Sequence, residues 1–123
     1  MARMTILKRG MIIDVNLDPT QGSETGKVRP CIIVTNDVYN ERVPVIQVVP
    51  IIEWSAKKVR IKTNVELYPS RDNGLSKKSI ADCLQTRPID HHRMVKIRGK
   101  LSRPKIQEIN QALKIIFELN LQL

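Results

Sequence analysis

Hydrophobic and polar residues alternate along several short stretches of this chain, and a period of two residues is typical of a strand with one buried face. On this basis strands are predicted over residues 11–17, 31–35, 45–49, 57–67 and 79–84. In the 57–67 stretch, Val59, Ile61 and Val65 fall on one face and charged residues on the other. One face of that strand is therefore expected to be solvated.

The segments between these strands carry turn-forming residues. Residues 18–27 contain one proline and two glycines, so a long loop is expected there. Asp37, Asn40 and Pro44 predict a turn over residues 36–44. Residues 69–78 read as a polar connection.

The C-terminal part of the chain changes to a helical period. From residue 103 to about 119, apolar residues recur every three or four positions, Ser102 can cap a helix, and Pro104 suits its first turn. The predicted fold class is mostly β (α+β). We expect a small, closed or nearly closed sheet of about five to seven strands with a C-terminal helix packed on it.

Length and charge restrict the function. The 123 residues suit a single domain spanning 1–123, and 41% of them are hydrophobic, which is enough for a core. Lys and Arg exceed Asp and Glu by 21 − 12 = +9, which favours nucleic acid as a partner, while an aromatic content of 3% argues against a platform of stacked bases. All of the excess lies in residues 55–123, with fifteen basic and six acidic side chains.

Residues 93–105 carry six basic side chains and no acidic one, so they form either a solvated face or a surface that contacts a polyanion. The N-terminus lacks the apolar stretch of a signal peptide, and no apolar run is long enough to span a membrane. A cytoplasmic protein without membrane contact is expected. Cys31 and Cys83 each lie in an apolar run, and both are expected to be reduced and buried.

Several motifs occur along the chain in one order. Residues 17–24 read Leu-Asp-Pro-Thr-Gln-Gly-Ser-Glu, and Arg29-Pro30 and Val34-Thr35-Asn36-Asp37 follow. Val48-Val49-Pro50-Ile51, Gln85-Thr86-Arg87-Pro88-Ile89-Asp90 and Gly99-Lys100-Leu101-Ser102 complete the set. With these motifs the sequence resembles the MazF/PemK toxin family over nearly its whole length.

The resemblance implies an SH3-like barrel with appended helices that acts as a homodimer. It also implies the toxin of a toxin–antitoxin pair, a metal-independent, sequence-specific endoribonuclease that needs no cofactor. Such an enzyme cleaves single-stranded mRNA through attack of the 2′-OH and leaves a 2′,3′-cyclic phosphate and a 5′-OH. The further partner implied is a cognate acidic antitoxin.

That reaction needs a proton acceptor, a proton donor and positive charge at the phosphate. Arg29 is the candidate for the charge, because its guanidinium can hold two phosphate oxygens and it follows the 18–27 loop. Glu24, in the matched loop, is a candidate base or ion-pair partner of Arg29. Asp82 is a candidate carboxylate or a solvated strand residue, and Glu53 is a further proton-transfer candidate.

The resemblance assigns RNA contacts to Ser23, Asn36, Gln85 and Arg87. The adjacent pair His91-His92 is interpreted as surface residues, because no third ligand with suitable spacing predicts a metal site. Trp54 is expected to pack against the helix or a dimer partner.

The sequence departs from the family at two positions. Ile52 stands where a hydroxyl-bearing residue is usual, and Leu84 where an acid is usual. These departures leave an alternative open, in which the chain is a catalytically impaired relative that binds RNA, an antitoxin or gyrase.

Overall fold

A computed structural model describes residues 6–119 of the chain. These residues form seven strands and two α-helices. The strands are β1 (Met11–Asn16), β2 (Val28–Ile33), β3 (Val45–Glu53), β4 (Asn64–Leu67), β5 (Ser79–Asp82), β6 (Arg87–Asp90) and β7 (Met94–Lys100). The helices are α1 (Asp37–Arg42) and α2 (Arg103–Ile116), and short 3₁₀ turns occur at Lys58–Arg60, Cys83–Gln85 and His91–Arg93. The predicted mostly β class with a C-terminal helix is confirmed.

The strands pair antiparallel in the order β4-β5-β3-β2-β1-β7, and β6 adds to β3. The long strand β3 serves two partners on one side: its first half pairs with β6, while Ile51, Ile52 and Glu53 pair with Ala81, Ile80 and Ser79 of β5. Within residues 6–119 no hydrogen-bonded ladder joins β4 to β7, so the sheet is not closed by hydrogen bonds.

Alternation along the strands supplies two apolar clusters, one on each face of the sheet. The helix-side cluster packs beneath α2; its members include Ile12, Ile32, Val49, Ile51, Leu75, Ile109 and Ala112. The opposite cluster includes Ile13, Val15, Cys31, Ile33 and Val48. Both cysteines are free and buried, as predicted, and burial raises the pKa of each thiol to about 12.

Helix α2 begins as the sequence predicts. The Ser102 hydroxyl accepts a hydrogen bond from the Lys105 amide, and Pro104 lies in the first turn, where no amide partner is needed. Ile109 and Ala112 are its buried residues. The helix ends at Ile116, three residues before the predicted end.

Residues 36–44 differ from the predicted turn, because Asp37–Arg42 form helix α1. The Asn36 side chain accepts a hydrogen bond from the Val38 amide and caps the helix. Only Asn40 of the helix is buried, so the sequence has no apolar stripe that would predict α1. Its amide instead donates to the Thr35 carbonyl at 2.8 Å and holds α1 against the end of β2.

Two predicted strands are shorter than expected. In the 57–67 stretch only Asn64–Leu67 is a strand, because a 3₁₀ turn occupies Lys58–Arg60 and leaves Ile61 exposed. In the 79–84 stretch the strand ends at Asp82, and Cys83–Gln85 form another 3₁₀ turn.

Strands β6 and β7 were not predicted. In β7 the apolar residues Val95 and Ile97 are exposed, so this strand lacks the regular alternation of buried apolar and exposed polar residues. The ladder with β1 nevertheless holds β7 in the sheet. The 72–74 loop lies directly on the end of β7, where the Lys100 amide donates to the Asp72 carbonyl at 2.9 Å. A side chain at Gly99 would collide with the same carbonyl oxygen, so glycine is required there.

Candidate active site

Arg29, near the start of β2, lines a small cleft of about 130 Å³ at the end of the helix-side cluster. The cleft forms where β3 ends and β5 begins, and the pairing of Glu53 with Ser79 places both side chains on its rim. Its charged and hydroxyl-bearing lining residues are Arg29, Glu53, Ser76, Lys77, Ser79 and Arg98. Three cations thus surround one carboxylate, an arrangement suited to binding an anionic group.

Glu53 is the carboxylate of this cleft. Lys77 forms an ion pair with it, and that hydrogen bond and charge lower the pKa of Glu53, with a smaller contribution from the Arg29 charge. Glu53 is therefore ionised at neutral pH, and its lowered pKa makes it a weaker proton acceptor than an ordinary glutamate. The neighbouring Ile52 is buried in the cleft wall and offers no hydrogen bond.

Arg29 is held from the side of the 18–27 loop. Its Nε donates to the Gly26 carbonyl at 3.2 Å. Within residues 6–119 neither of its Nη groups donates a hydrogen bond to the protein, so the end of the guanidinium is available to a ligand.

Gln85 and Arg87 fasten the same loop. The Gln85 side chain accepts from the Thr25 amide at 3.2 Å and donates to the Ser23 carbonyl at 3.3 Å. Arg87 donates through Nη1 to the Leu17 carbonyl at 3.1 Å. The structure thus brings Ser23, Gln85 and Arg87 together at the loop. Glu24 lies there too, but its carboxylate accepts from the Gln21 amide, and it makes no salt bridge to Arg29 within the described residues.

Asp82 and Asn36 lie outside the cleft lining. Alternation along β5 turns Asp82 to the face opposite Ser79, where burial raises its pKa and the Lys58 charge acts in the other direction. Leu84, which was predicted to lie on the 79–84 strand, is instead 67% exposed in the 3₁₀ turn. Asn36 is engaged as the cap of α1.

The remaining sequence candidates have other surroundings. The Trp54 indole donates to Glu66, and the Lys78 ammonium lies 3.8 Å from its ring centroid. Packing of Trp54 against the helix or a dimer partner stays a prediction. His92 is exposed beside Asp90. Among residues 6–119 no three His, Cys, Asp or Glu side chains converge as metal ligands do.

Glu53 was a minor candidate in the sequence, and Arg98 was not a candidate for the site. The position of Glu53 depends on its register with Ser79, which no local pattern reveals. For Arg98 one signal exists: Asp14 lies between the apolar residues Ile13 and Val15 of β1, and a charge in a core strand requires a partner.

Comparison with known proteins shows which family the chain belongs to. Residues 8–117 match the family described as the PemK-like, MazF-like toxin of type II toxin–antitoxin systems. The chain belongs to this family. A relative named endoribonuclease MazF, from Staphylococcus saprophyticus, is 34% identical over 115 residues, covering 94% of both chains.

Solved MazF-family structures share the fold. MazF from Deinococcus radiodurans superposes with a TM-score of 0.79 at 18% identity, covering 94% of this chain and 99% of that one. An endoribonuclease in complex with its cognate antitoxin, from a mycobacterial species, gives 0.73 at 20% identity, covering 91% and 95%. No helix within residues 6–119 has the length and apolar character needed to cross a bilayer.

Proposed function

We propose that this member of the PemK/MazF family is a metal-independent, sequence-specific endoribonuclease that acts as a toxin in the cytoplasm. It cleaves single-stranded mRNA by attack of a 2′-OH on the adjacent phosphate, leaving a 2′,3′-cyclic phosphate and a 5′-OH. The observation that carries this proposal is the cleft that Arg29 and the ionised Glu53 line together, with Arg29 Nη groups that donate to no protein acceptor within residues 6–119.

The residues of the cleft suit the three requirements of the reaction. Arg29 holds the phosphoryl oxygens, whose charge grows as the pentavalent transition state forms. Glu53 accepts the proton of the 2′-OH, and Lys77, the protonated side chain paired with Glu53, supplies a proton to the departing 5′-oxygen. Glu24 and Asp82 remain predicted alternatives for the carboxylate.

The contacts at the loop complete the proposed RNA path. Ser23, Gln85 and Arg87 lie along the 18–27 loop beside Arg29, so a strand whose phosphate enters the cleft passes over them. Asn36 was predicted as a further RNA contact and caps α1 outside this path.

The direct test is cleavage of a long single-stranded RNA in the presence of EDTA. Wild type and Arg60→Ala, which removes an exposed arginine on a 3₁₀ turn, are expected to cut, whereas Arg29→Ala loses cleavage by about a hundredfold or more. The fragment upstream of each cut should resist 3′ labelling until its cyclic phosphate is opened and the resulting monophosphate is removed. Intact RNA with wild type, or equal cutting by Arg29→Ala, contradicts the proposal.

We further propose that the toxin is a homodimer controlled by an acidic antitoxin. A similar endoribonuclease fold is known in complex with its cognate antitoxin, and the charge of +9 suits an acidic partner. Light scattering should give twice the mass of the chain. We also expect a small acidic protein to be encoded beside it, and this protein should bind the toxin and stop cleavage. A monomer, or cleavage that the acidic partner does not affect, refutes the corresponding part.

One observation favours the alternative of an impaired relative that binds RNA, an antitoxin or gyrase. Ile52 lies in the wall of the cleft and provides no hydroxyl to the phosphate. Ile52→Thr decides between the two functions. A gain of tenfold or more from an almost inactive wild type indicates the impaired relative, whereas an active wild type with little gain indicates that Glu53 and Lys77 suffice.

A further inference from the structure

Asp14 is the charged residue buried in the centre of β1. It is 6% exposed, and its strand neighbours Ile13 and Val15 belong to the core. A carboxylate in such a place needs strong partners to remain charged. Its Oδ1 accepts from Arg98 Nε at 2.6 Å, and Lys96 Nζ lies 3.9 Å from Oδ2.

Arg98 is held by this carboxylate in one orientation. Its Nη1 also donates to the Gly74 carbonyl at 3.0 Å, so two of its nitrogens are fixed by the protein. A side chain at Gly74 would collide with the Arg98 backbone, so the loop lies close against β7 at this point. Within residues 6–119 its Nη2 donates to no protein acceptor.

The fixed guanidinium lines the same cleft as Arg29. A volume of about 130 Å³ leaves room for one phosphate group and a few waters, and not for a nucleotide. Two arginines therefore line a space that holds one such group. Lys96, by contrast, has a 63% exposed side chain and does not line the cleft.

We propose that Arg98, positioned by the buried Asp14, is a second arginine ligand of the phosphate group that enters the Arg29 cleft. This inference rests on the proposed function, since it adds a residue to the same site. In it Asp14 is a positioning residue: it never touches RNA, and it spares Arg98 the loss of side-chain freedom when phosphate binds.

The direction in which one substitution changes RNA affinity distinguishes this role from general electrostatics. Asp14→Asn removes a negative charge from beneath a site that binds a polyanion, so electrostatics alone predicts tighter RNA binding. Positioning predicts the reverse, because Arg98 loses its charged partner and becomes mobile. We expect Asp14→Asn to bind RNA about three- to tenfold more weakly.

The experiment uses an RNA oligonucleotide that spans a mapped cut site and carries a 2′-O-methyl group on the attacking nucleotide. Arg98→Gln should weaken its binding about tenfold and reduce the slope of log affinity against log salt by about 0.7. It should also slow single-turnover cleavage of the unmodified RNA by tenfold or more. Lys100→Gln, which removes an exposed charge from the same strand, should change affinity and rate by less than about threefold.

A double-mutant cycle protects the test against effects on folding. Asp14→Asn in the Arg98→Gln background should not weaken RNA binding further, while Arg98→Lys should restore the salt slope and not the cleavage rate. Tighter binding by Asp14→Asn, or equal effects of Arg98→Gln and Lys100→Gln with cleavage that still depends on Arg29, overturns the role of Arg98 alone. A wild type that neither binds nor cuts RNA overturns the proposed function as well.

Discussion

The two hydrogen bonds of Gln85 predict how firmly the 18–27 loop is closed before RNA arrives. They bind the Thr25 amide at 3.2 Å and the Ser23 carbonyl at 3.3 Å. Both are long and lie near the surface, so each stabilises the closed loop by about 0.5 kcal/mol, at the low end for a hydrogen bond. Their loss in Gln85→Ala should therefore cost about 1 kcal/mol, a factor of about five in loop opening.

Amide hydrogen exchange of Thr25, followed by NMR without RNA, measures that factor directly. We expect exchange about fivefold faster in Gln85→Ala than in wild type. Gln85→Glu is the matched control, because a carboxylate still accepts from the Thr25 amide and cannot donate to the Ser23 carbonyl. Thr25 exchange should then stay within about twofold of wild type.

The buried Ile32 amide, in the middle of β2, reports on the rest of the fold and should exchange equally in all three proteins. The reasoning is refuted if Thr25 exchanges at the same rate in wild type and Gln85→Ala. It is also refuted if Gln85→Glu behaves like Gln85→Ala, since the amide would then owe its protection to something other than the Gln85 oxygen.

Three further predictions concern the packing of the core, the buried cysteines and the carboxylate of Asp82. Ile109→Ala should lower the free energy of unfolding, measured in urea, by about 2–5 kcal/mol, because Ile109 is 1% exposed on the buried face of α2. Ile115→Ala, at an exposed position of the same helix, should lower it by under about 1 kcal/mol. Equal losses in the two variants would refute this packing. Cys31 and Cys83, each with a pKa raised to about 12 by burial, should resist iodoacetamide at pH 8 until urea unfolds the protein, and rapid labelling of the native state would contradict their burial. Because burial raises the pKa of Asp82 above its ordinary value of 3.8, the folded state binds this proton more tightly, and stability falls as the pH rises through the raised pKa. Asp82→Asn should therefore raise the melting temperature at pH 7 and not at pH 3; a lower value at pH 7 would refute the assignment, and loss of cleavage in the variant would make Asp82 the catalytic carboxylate.

The elements that the sequence predicts well are those whose local pattern agrees with their packing. Helix α2 has its cap at Ser102 and buries Ile109 as its apolar stripe indicates. Helix α1 escaped prediction because tertiary hydrogen bonds, such as that from the Arg9 amide to Asp37, stabilise it where no apolar face exists. In the same way β7 is held by its ladder to β1 and not by an alternating pattern.

The site was predictable only where a motif carries it. Arg29 and the loop residues belong to family motifs, and these motifs predict that they lie at the site. In the structure Arg29 contacts the loop at Gly26, and Gln85 contacts it at Thr25. Glu53 and Arg98 reach the cleft from strands far apart in the chain, and their meeting depends on registers that only the folded sheet defines. A long-range arrangement of this kind has no signature in a window of sequence.

The contact between the 72–74 loop and the end of β7 also protects the chain against aggregation through an exposed strand edge. An outermost strand with unpaired amides is a template on which a second chain can extend a sheet. Here the Asp72 carbonyl occupies the Lys100 amide, and glycine at 99 lets the loop lie flush against the strand. Further along the same strand, the exposed Lys96 adds a charge that disfavours stacking into fibrils.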